Sequence, residues 1–156
     1  MVKRSALLVM SACVLAIGLA AQPAMAAVIV CAGGPCDGTP QDDQITGSES
    51  SDQIRGFERN DDIWGNGSND TISGGPNRDT ISGGNGGDRL RGNAGLDDLT
   101  GDAGLDWLFG HGANDTIDAQ DGQADHVVDG GSGYDTCFID TGIDLNVVNC
   151  EVINPP

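Results

Sequence analysis

GNGSNDTIS at Gly65–Ser73, GGPNRDTIS at Gly74–Ser82 and GGNGGDRLR at Gly83–Arg91 follow one another without an inserted residue. Each puts Gly first, Asp sixth and an aliphatic residue eighth. Read outward in both directions, the same columns hold through nine consecutive units from Gly38 to Asp118. The aspartate column is Asp43, Asp52, Asp61, Asp70, Asp79, Asp88, Asp97, Asp106 and Asp115, and the aliphatic column runs from Ile45 to Ile117. A disordered Gly/Asp-rich tract has no reason to hold its aliphatics in one phase, so the period specifies a solenoid.

The last three residues of a unit, such as Thr71-Ile72-Ser73, alternate polar, apolar, polar, which suits a very short strand with one inward side chain. The preceding six are rich in Gly, Asn, Asp and Pro, as a turn requires. One strand and one turn make half a coil, so two units complete a turn of a right-handed parallel β-roll. That places Ile45, Ile63, Ile81, Leu99 and Ile117 in one core ladder and Ile54, Ile72, Leu90 and Leu108 in the facing one. So thin a core offsets only part of the ordering entropy of the chain around it.

Eighteen-residue spacing also stacks Asp43, Asp61, Asp79, Asp97 and Asp115 along one edge and Asp52, Asp70, Asp88 and Asp106 along the other. Carboxylates roughly 5 Å apart repel by about 3 kcal/mol per adjacent pair at an effective dielectric of ~20. A divalent cation between turns reverses that sign. The ligands on offer are oxygens, which suit calcium; zinc would draw on Cys or His, and magnesium demands stricter octahedral geometry. His111 and His126 are read as solvated rather than as ligands.

These residues resemble the RTX, or haemolysin-type, calcium-binding repeat GGxGxDxUx. GGSGYDTCF at Gly130–Phe138 fits every fixed position, with Cys137 in the apolar slot, and GGNGGDRLR at Gly83–Arg91 fits equally well. Between the nine units and this last one lies a degenerate unit, Gln120–Val128, read with Asp125 sixth, Val127 eighth, and Ala119 and Asp129 as flanking insertions. The expected roll thus has about eleven half-coils over residues 38–138, with Asp125 continuing one edge and Asp135 the other. The resemblance implies several Ca2+ ions, one per adjacent pair on an edge: 43/61, 61/79, 79/97 and 97/115, and 52/70, 70/88 and 88/106. Its fourth glycine is kept at Gly86, Gly95, Gly104 and Gly133 but replaced by Gln41, Ser50, Arg59, Ser68, Asn77 and Ala113. If that place needs positive φ, the substituted turns are strained or differently shaped. Sites from Asp70 to Asp115 are therefore favoured over those at Asp43 and Asp52.

The flanks bound the function. Lys3 and Arg4, an apolar stretch from Ala6 to Ala21, and Ala24-Met25-Ala26 read as a cleaved secretory signal peptide over residues 1–26. What remains has five arginines and no lysine against 24 acids, which excludes nucleic acids and anionic membranes as partners and invites cations. Cys31, Cys36, Cys137 and Cys150 form an even set, so disulfides are expected. A bridge needs Cα atoms within about 7 Å, which favours local pairs Cys31–Cys36 and Cys137–Cys150 over pairs spanning the stack. Residues 27–37 and 139–156 are the expected N- and C-terminal caps, and Cys150 would pin the latter to the final strand.

On one face, Arg55, Arg89, Arg91, Trp107 and Phe109 point outward. They read as cross-strand cation–π packing or as a patch for a glycan or protein in an adhesion module whose calcium is structural. No catalytic constellation emerges, because neither histidine sits in a nucleophilic triad pattern, so the chain is not expected to be an enzyme. A metal-independent, ice-binding solenoid is a weaker reading, since Arg89, Arg91 and Trp107 interrupt the rows begun by Thr71/Ser73 and Thr80/Ser82. The expectation is a secreted, monomeric, calcium-binding β-roll.

Overall fold

The computed structural model describes residues 26–144 and 146–155. The signal-peptide reading falls, up to residue 25, outside them. Short strands follow one another in chain order: β1 (Val28–Val30), β2 (Gly34–Asp37), β3 (Gln44–Thr46), β4 (Asp52–Arg55), β5 (Asp62–Gly67), β6 (Thr71–Pro76), β7 (Thr80–Asn85) and β8 (Arg89–Ala94). They continue as β9 (Asp98–Ala103), β10 (Trp107–Gly112), β11 (Thr116–Asp118), β12 (Val127–Ser132), β13 (Thr136–Phe138), β14 (Val147–Val148) and β15 (Val152–Asn154).

Odd-numbered strands stack as one eight-stranded sheet and even-numbered strands as a seven-stranded sheet facing it, with parallel neighbours throughout. This is the parallel β-roll that the nine-residue period specifies. Register follows the aliphatic column: Ile45 lies opposite Ile63, Ile63 opposite Ile81, Ile54 opposite Ile72 and Leu90 opposite Leu108. All nine column aliphatics are at most 1% exposed, a single file of side chains on each inner face.

The stack is longer than the glycine and aspartate signature suggests. About seven turns replace the expected eleven half-coils, because segments lacking that signature still keep the register. Ile29 extends the odd ladder above Ile45, Cys36 the even ladder above Ile54, and Ile153 and Val147 lie beneath Cys137 and Val128. The disulfides Cys31–Cys36 and Cys137–Cys150 form, with Cα separations of 5.7 and 5.9 Å.

The degenerate unit is arranged differently from the sequence reading. Val128, not Val127, occupies the core ladder opposite Leu108, and Asp129 pairs in register with Phe109. Ala119 is no insertion either. It is 2% exposed and follows β11 as the leading glycines follow other strands. The extra residues instead enlarge the turn before Asp125 and make a bulge, where the N–H groups of His126 and Val127 both reach the Asp106 carbonyl at 2.8 and 3.3 Å.

Candidate metal centre

Every sixth-position aspartate is buried. Asp43, Asp52, Asp61, Asp70, Asp79, Asp88, Asp97, Asp106, Asp115 and Asp135 are no more than 2% exposed, and Asp125 is 6% exposed. The two edges of the roll collect them as the spacing implies, Asp125 joining the column of Asp106 and Asp135 that of Asp115.

One carboxylate oxygen of each is spent on the backbone. Oδ1 of Asp61 accepts the N–H of Asp43 at 2.8 Å, Oδ1 of Asp79 that of Asp61 at 2.9 Å, and Oδ1 of Asp97 that of Asp79 at 2.9 Å. The other edge repeats this through Asp70, Asp88 and Asp106, each taking the N–H one turn earlier at 2.7 Å. The column is therefore a hydrogen-bonded ladder as well as a row of like charges. It continues into residues the period did not reveal: the N–H of Asp125 donates to Asp144 and that of Asp135 to Glu151.

The second oxygen divides the molecule. Oδ2 of Asp61, Asp70, Asp79, Asp88, Asp97, Asp106, Asp115 and Asp135 is buried without any hydrogen-bond partner. Leaving one such acceptor unmade costs on the order of 1–3 kcal/mol, more if it is charged. Each of these atoms lies against the leading glycine of its own unit, where a Cβ would collide with it: at 2.5 Å for Gly65 and Gly83 and 2.7 Å for Gly101 and Gly130. The carbonyl of the leading glycine one turn later reaches the same spot, as Gly101 does at Gly83. The missing Cβ thus leaves a space lined by a carboxylate and a carbonyl oxygen.

In the end turns Oδ2 is engaged instead, although Oδ1 of Asp52 is buried without a partner. Oδ2 of Asp43 accepts the N–H and hydroxyl of Thr39, and Oδ2 of Asp52 those of Ser48. At the other end, Oδ2 of Asp144 takes the N–H of Asp140 at 2.8 Å.

Turn shape follows the same division. Among the substituted fourth positions, Arg59, Ser68, Asn77 and Ala113 adopt φ of 75°, 69°, 79° and 81°. The left-handed region costs a non-glycine residue about 1–2 kcal/mol, so these turns are strained as expected. Gln41 and Ser50 are absent from the positive-φ residues, so their turns are differently shaped. Second positions matter equally, a feature the column analysis passed over: Phe57, Asn66, Asn93, Asp102 and His111 have φ between 63° and 82°. Their conformation turns carbonyls toward the next coil, as Asn66 does beneath Gly84 and His111 beneath Gly131.

Burial raises the carboxyl pKa values above the usual aspartate range, with neighbouring carboxylates adding to the effect in most cases and the N–H donors opposing it. Asp61, Asp70 and Asp97 rise to about 6, Asp79, Asp115 and Asp125 to about 7, and Asp106 to about 8. Asp88 rises as well. Among the described residues no three His, Cys, Asp or Glu side chains gather into a ready metal cage, so an ion here needs backbone carbonyls in its shell. Those carbonyls and the unpaired Oδ2 atoms are all hard oxygens, the donor set calcium takes.

The arginine and aromatic face is largely packed on itself. The Arg89 guanidinium sits 4.9 Å from the Phe109 ring centre, Trp107 stacks on His126 at 3.9 Å, and Arg55 pairs with Asp37 through two hydrogen bonds.

No curated protein and no solved structure matches the chain. The family model of the RTX calcium-binding nonapeptide repeat (4 copies) matches residues 37–72, 55–90 and 91–123. With that match spanning more than half of the sequence, and with buried aspartates stacked between glycine turns of a parallel roll, the chain belongs to the RTX calcium-binding repeat family.

Proposed function

We propose that this is an exported calcium-binding protein whose roll completes its folding only when Ca2+ enters the spaces between successive turns. The observation that carries this reading is the set of eight buried Oδ2 atoms without partners on a thin core. Asp61, Asp70, Asp79, Asp88, Asp97, Asp106 and Asp115 would hold the ions, with carbonyls of the leading glycines and of the left-handed second positions. Asp43, Asp52, Asp125 and Asp135 are the outlying members of the same set. When bound, Ca2+ supplies the positive charge that turns carboxylate repulsion into attraction. The chain's own part is to present the oxygens in register, through the Oδ1 ladder and the glycines that leave the spaces open.

Export is supported by the signal-like N-terminus and by two disulfides, which persist in oxidising compartments. Ligand that binds only the folded state stabilises it by mass action, so low calcium would keep the roll unfolded and high calcium would close it. Far-UV circular dichroism of the exported chain in Ca2+ and in chelator tests this, and a spectrum indifferent to chelator would sink it. Calorimetric titration then counts the ions.

A second reading, an adhesion module with structural calcium, rests on Arg89 and Arg91. They stand adjacent, and the one ion pair among the described residues is formed elsewhere, by Arg55. Glycan or protein binding that vanishes in a Trp107→Ala, Phe109→Ala double variant distinguishes it.

A further inference from the structure

The two aspartate edges continue differently where the nine-residue spacing gives out. On one, Asp144 follows Asp125, and its Oδ2 is taken by the N–H of Asp140 at 2.8 Å. On the other, Asp135 is fully buried and its Oδ2 has no hydrogen-bond partner. The residue that follows it in the ladder is a glutamate. Glu151 stands 16 residues on rather than 18, yet its Oε2 accepts the N–H of Asp135 at 2.7 Å, as Oδ1 of Asp97 does for Asp79.

The leading glycine has a stand-in too. A Cβ at Gly130 would strike both Oδ2 of Asp135 and the carbonyl oxygen of Asn149. At Gly83 the same two atoms are Oδ2 of Asp88 and the carbonyl of Gly101, and at Gly110 they are Oδ2 of Asp115 and the carbonyl of Gly130. Asn149 therefore presents its carbonyl where the repeat presents that of a glycine. It does so from a φ of 52°, in the left-handed region that asparagine tolerates better than most residues, and its Nδ2 donates to Oδ1 of Asp129 at 2.7 Å. Register holds as well, the N–H groups of Glu151 and Val152 reaching the Asp135 carbonyl at 3.1 and 3.0 Å. The space at Asp135 thus has what the spaces between repeat turns have, with a glutamate in place of the next aspartate.

What replaces the repeat as a fastener is the Cys137–Cys150 disulfide. Cys150 lies between Asn149 and Glu151 in the chain, so its bond to the fully buried Cys137 fixes a carbonyl donor on one side and a carboxylate on the other. The strands around it are short, two residues in β14 and three in β15. So few ladder bonds restrain the segment weakly, and a covalent link lowers the ordering cost that an ion would otherwise have to meet.

We infer that the segment after β13 completes a further Ca2+ site with Asp135, supplying the Asn149 carbonyl and the Glu151 carboxylate, and that the Cys137–Cys150 disulfide holds these two donors in place. The inference rests on the calcium reading proposed above and extends it to a site outside the repeat. All its donors are hard oxygens, and because Glu151 is exposed, water completes the shell there. The ion ties the segment to the roll by joining groups 16 residues apart.

Native mass spectrometry of the exported, disulfide-intact chain in saturating Ca2+ counts the ions directly, and hydrogen exchange over residues 146–152 reports the site. Glu151→Gln keeps an acceptor for the Asp135 N–H and removes only the charge. It should carry one ion fewer than wild type and lose the calcium-dependent protection of residues 146–152. Cys150→Ala should lose the same ion, and adding Glu151→Gln to it should remove no other. Should Cys150→Ala lose its circular dichroism spectrum in Ca2+, Cys137→Val with Cys150→Ala serves in its place; Glu151→Gln keeps the disulfide and decides the site whatever those variants do. A wild-type chain that binds no Ca2+ would remove the calcium reading and this site together. A wild-type count above zero that Glu151→Gln leaves unchanged would overturn the site alone, Glu151 then being a rung of the ladder and nothing more. A count unaltered by Cys150→Ala would overturn the part given to the disulfide.

Discussion

The turns at Gly38–Asp43 and Gly47–Asp52 and those between Gly56 and Asp115 obey one nine-residue pattern, yet they treat the same aspartate in opposite ways. In the first two, a hydroxyl residue follows the glycine, and its N–H and Oγ occupy Oδ2 of the aspartate. In the others the second residue is left-handed or glycine, its N–H is turned away, and Oδ2 is buried with nothing to accept from. A turn that engages Oδ2 with its own donors has no unpaired oxygen there, although Oδ1 of Asp52 is buried without a partner. A turn that leaves Oδ2 unsatisfied is complete only with something added. The difference lies in one residue per unit, Thr39 and Ser48 against Phe57, Asn66, Gly75, Gly84 and Asn93.

Chelation should break the comparison most visibly. Removing calcium is expected to unfold the central turns outright, while their unpartnered Oδ2 has no counterpart at Asp43 and Asp52, where that oxygen accepts from Thr39 and Ser48. Hydrogen exchange in chelator should therefore show protection lost from Gly56 to Asp115 first, read by mass spectrometry of peptides from each region. Uniform protection with and without calcium would remove the distinction.

The next largest effect comes from Asp79→Asn. The substitution takes a negative charge from a carboxyl whose Oδ2 has no partner. In calcium it should lower stability by about 1–3 kcal/mol and cut the stoichiometry by roughly one to two ions. In chelator the sign reverses, because a neutral amide escapes the repulsion and desolvation that raise the Asp79 pKa to about 7. Asp43→Asn should leave the ion count unchanged. Thermal melts and calorimetric titration of the pair decide the matter.

How far these features were legible follows from what a period can carry. A fixed spacing identifies which side chains share a ladder, so the core from Ile45 to Ile117 and the two aspartate edges could be read from the sequence. It does not say what each carboxylate oxygen touches. The Oδ1 ladder depends on backbone N–H groups one turn away, and its partners Asp144 and Glu151 stand outside the repeat spacing. Val127 and Val128 were interchangeable by hydropathy, and only the bulge at His126 determines which one faces inward. β1, β2, β14 and β15 lack the glycine and aspartate columns altogether. They join the stack because each supplies an apolar residue in register with an existing strand, a tertiary match that no local signature announces.

Acidity should sharpen the comparison with a smaller effect. The central carboxyls titrate at about 6 to about 8 in the ion-free roll, above the usual aspartate value of 3.8. A carboxyl whose folded pKa is raised contributes stability that is full below the unfolded pKa and lost as pH rises through the folded one. In chelator the melting temperature is therefore expected to fall between pH 4 and pH 8. In calcium the slope should reverse over the same interval, because protons and Ca2+ compete for the same oxygens. Parallel slopes in the two buffers would contradict that competition.

The smallest effect should come from the end turns themselves. Ser48→Ala removes the hydroxyl donor to Oδ2 of Asp52 but keeps the backbone N–H at 2.7 Å. Losing one such cap typically costs about 1 kcal/mol, and the carboxylate retains a partner, so no cation need replace it. The expected outcome is a modest drop in melting temperature, equal in calcium and in chelator-stabilised low-pH conditions, with the ion count unchanged. A rise in calcium stoichiometry would be more informative than the loss of stability. It would mean that the hydroxyl alone separates an end turn from a central one, and that freeing Oδ2 suffices to create a site without the left-handed second residue.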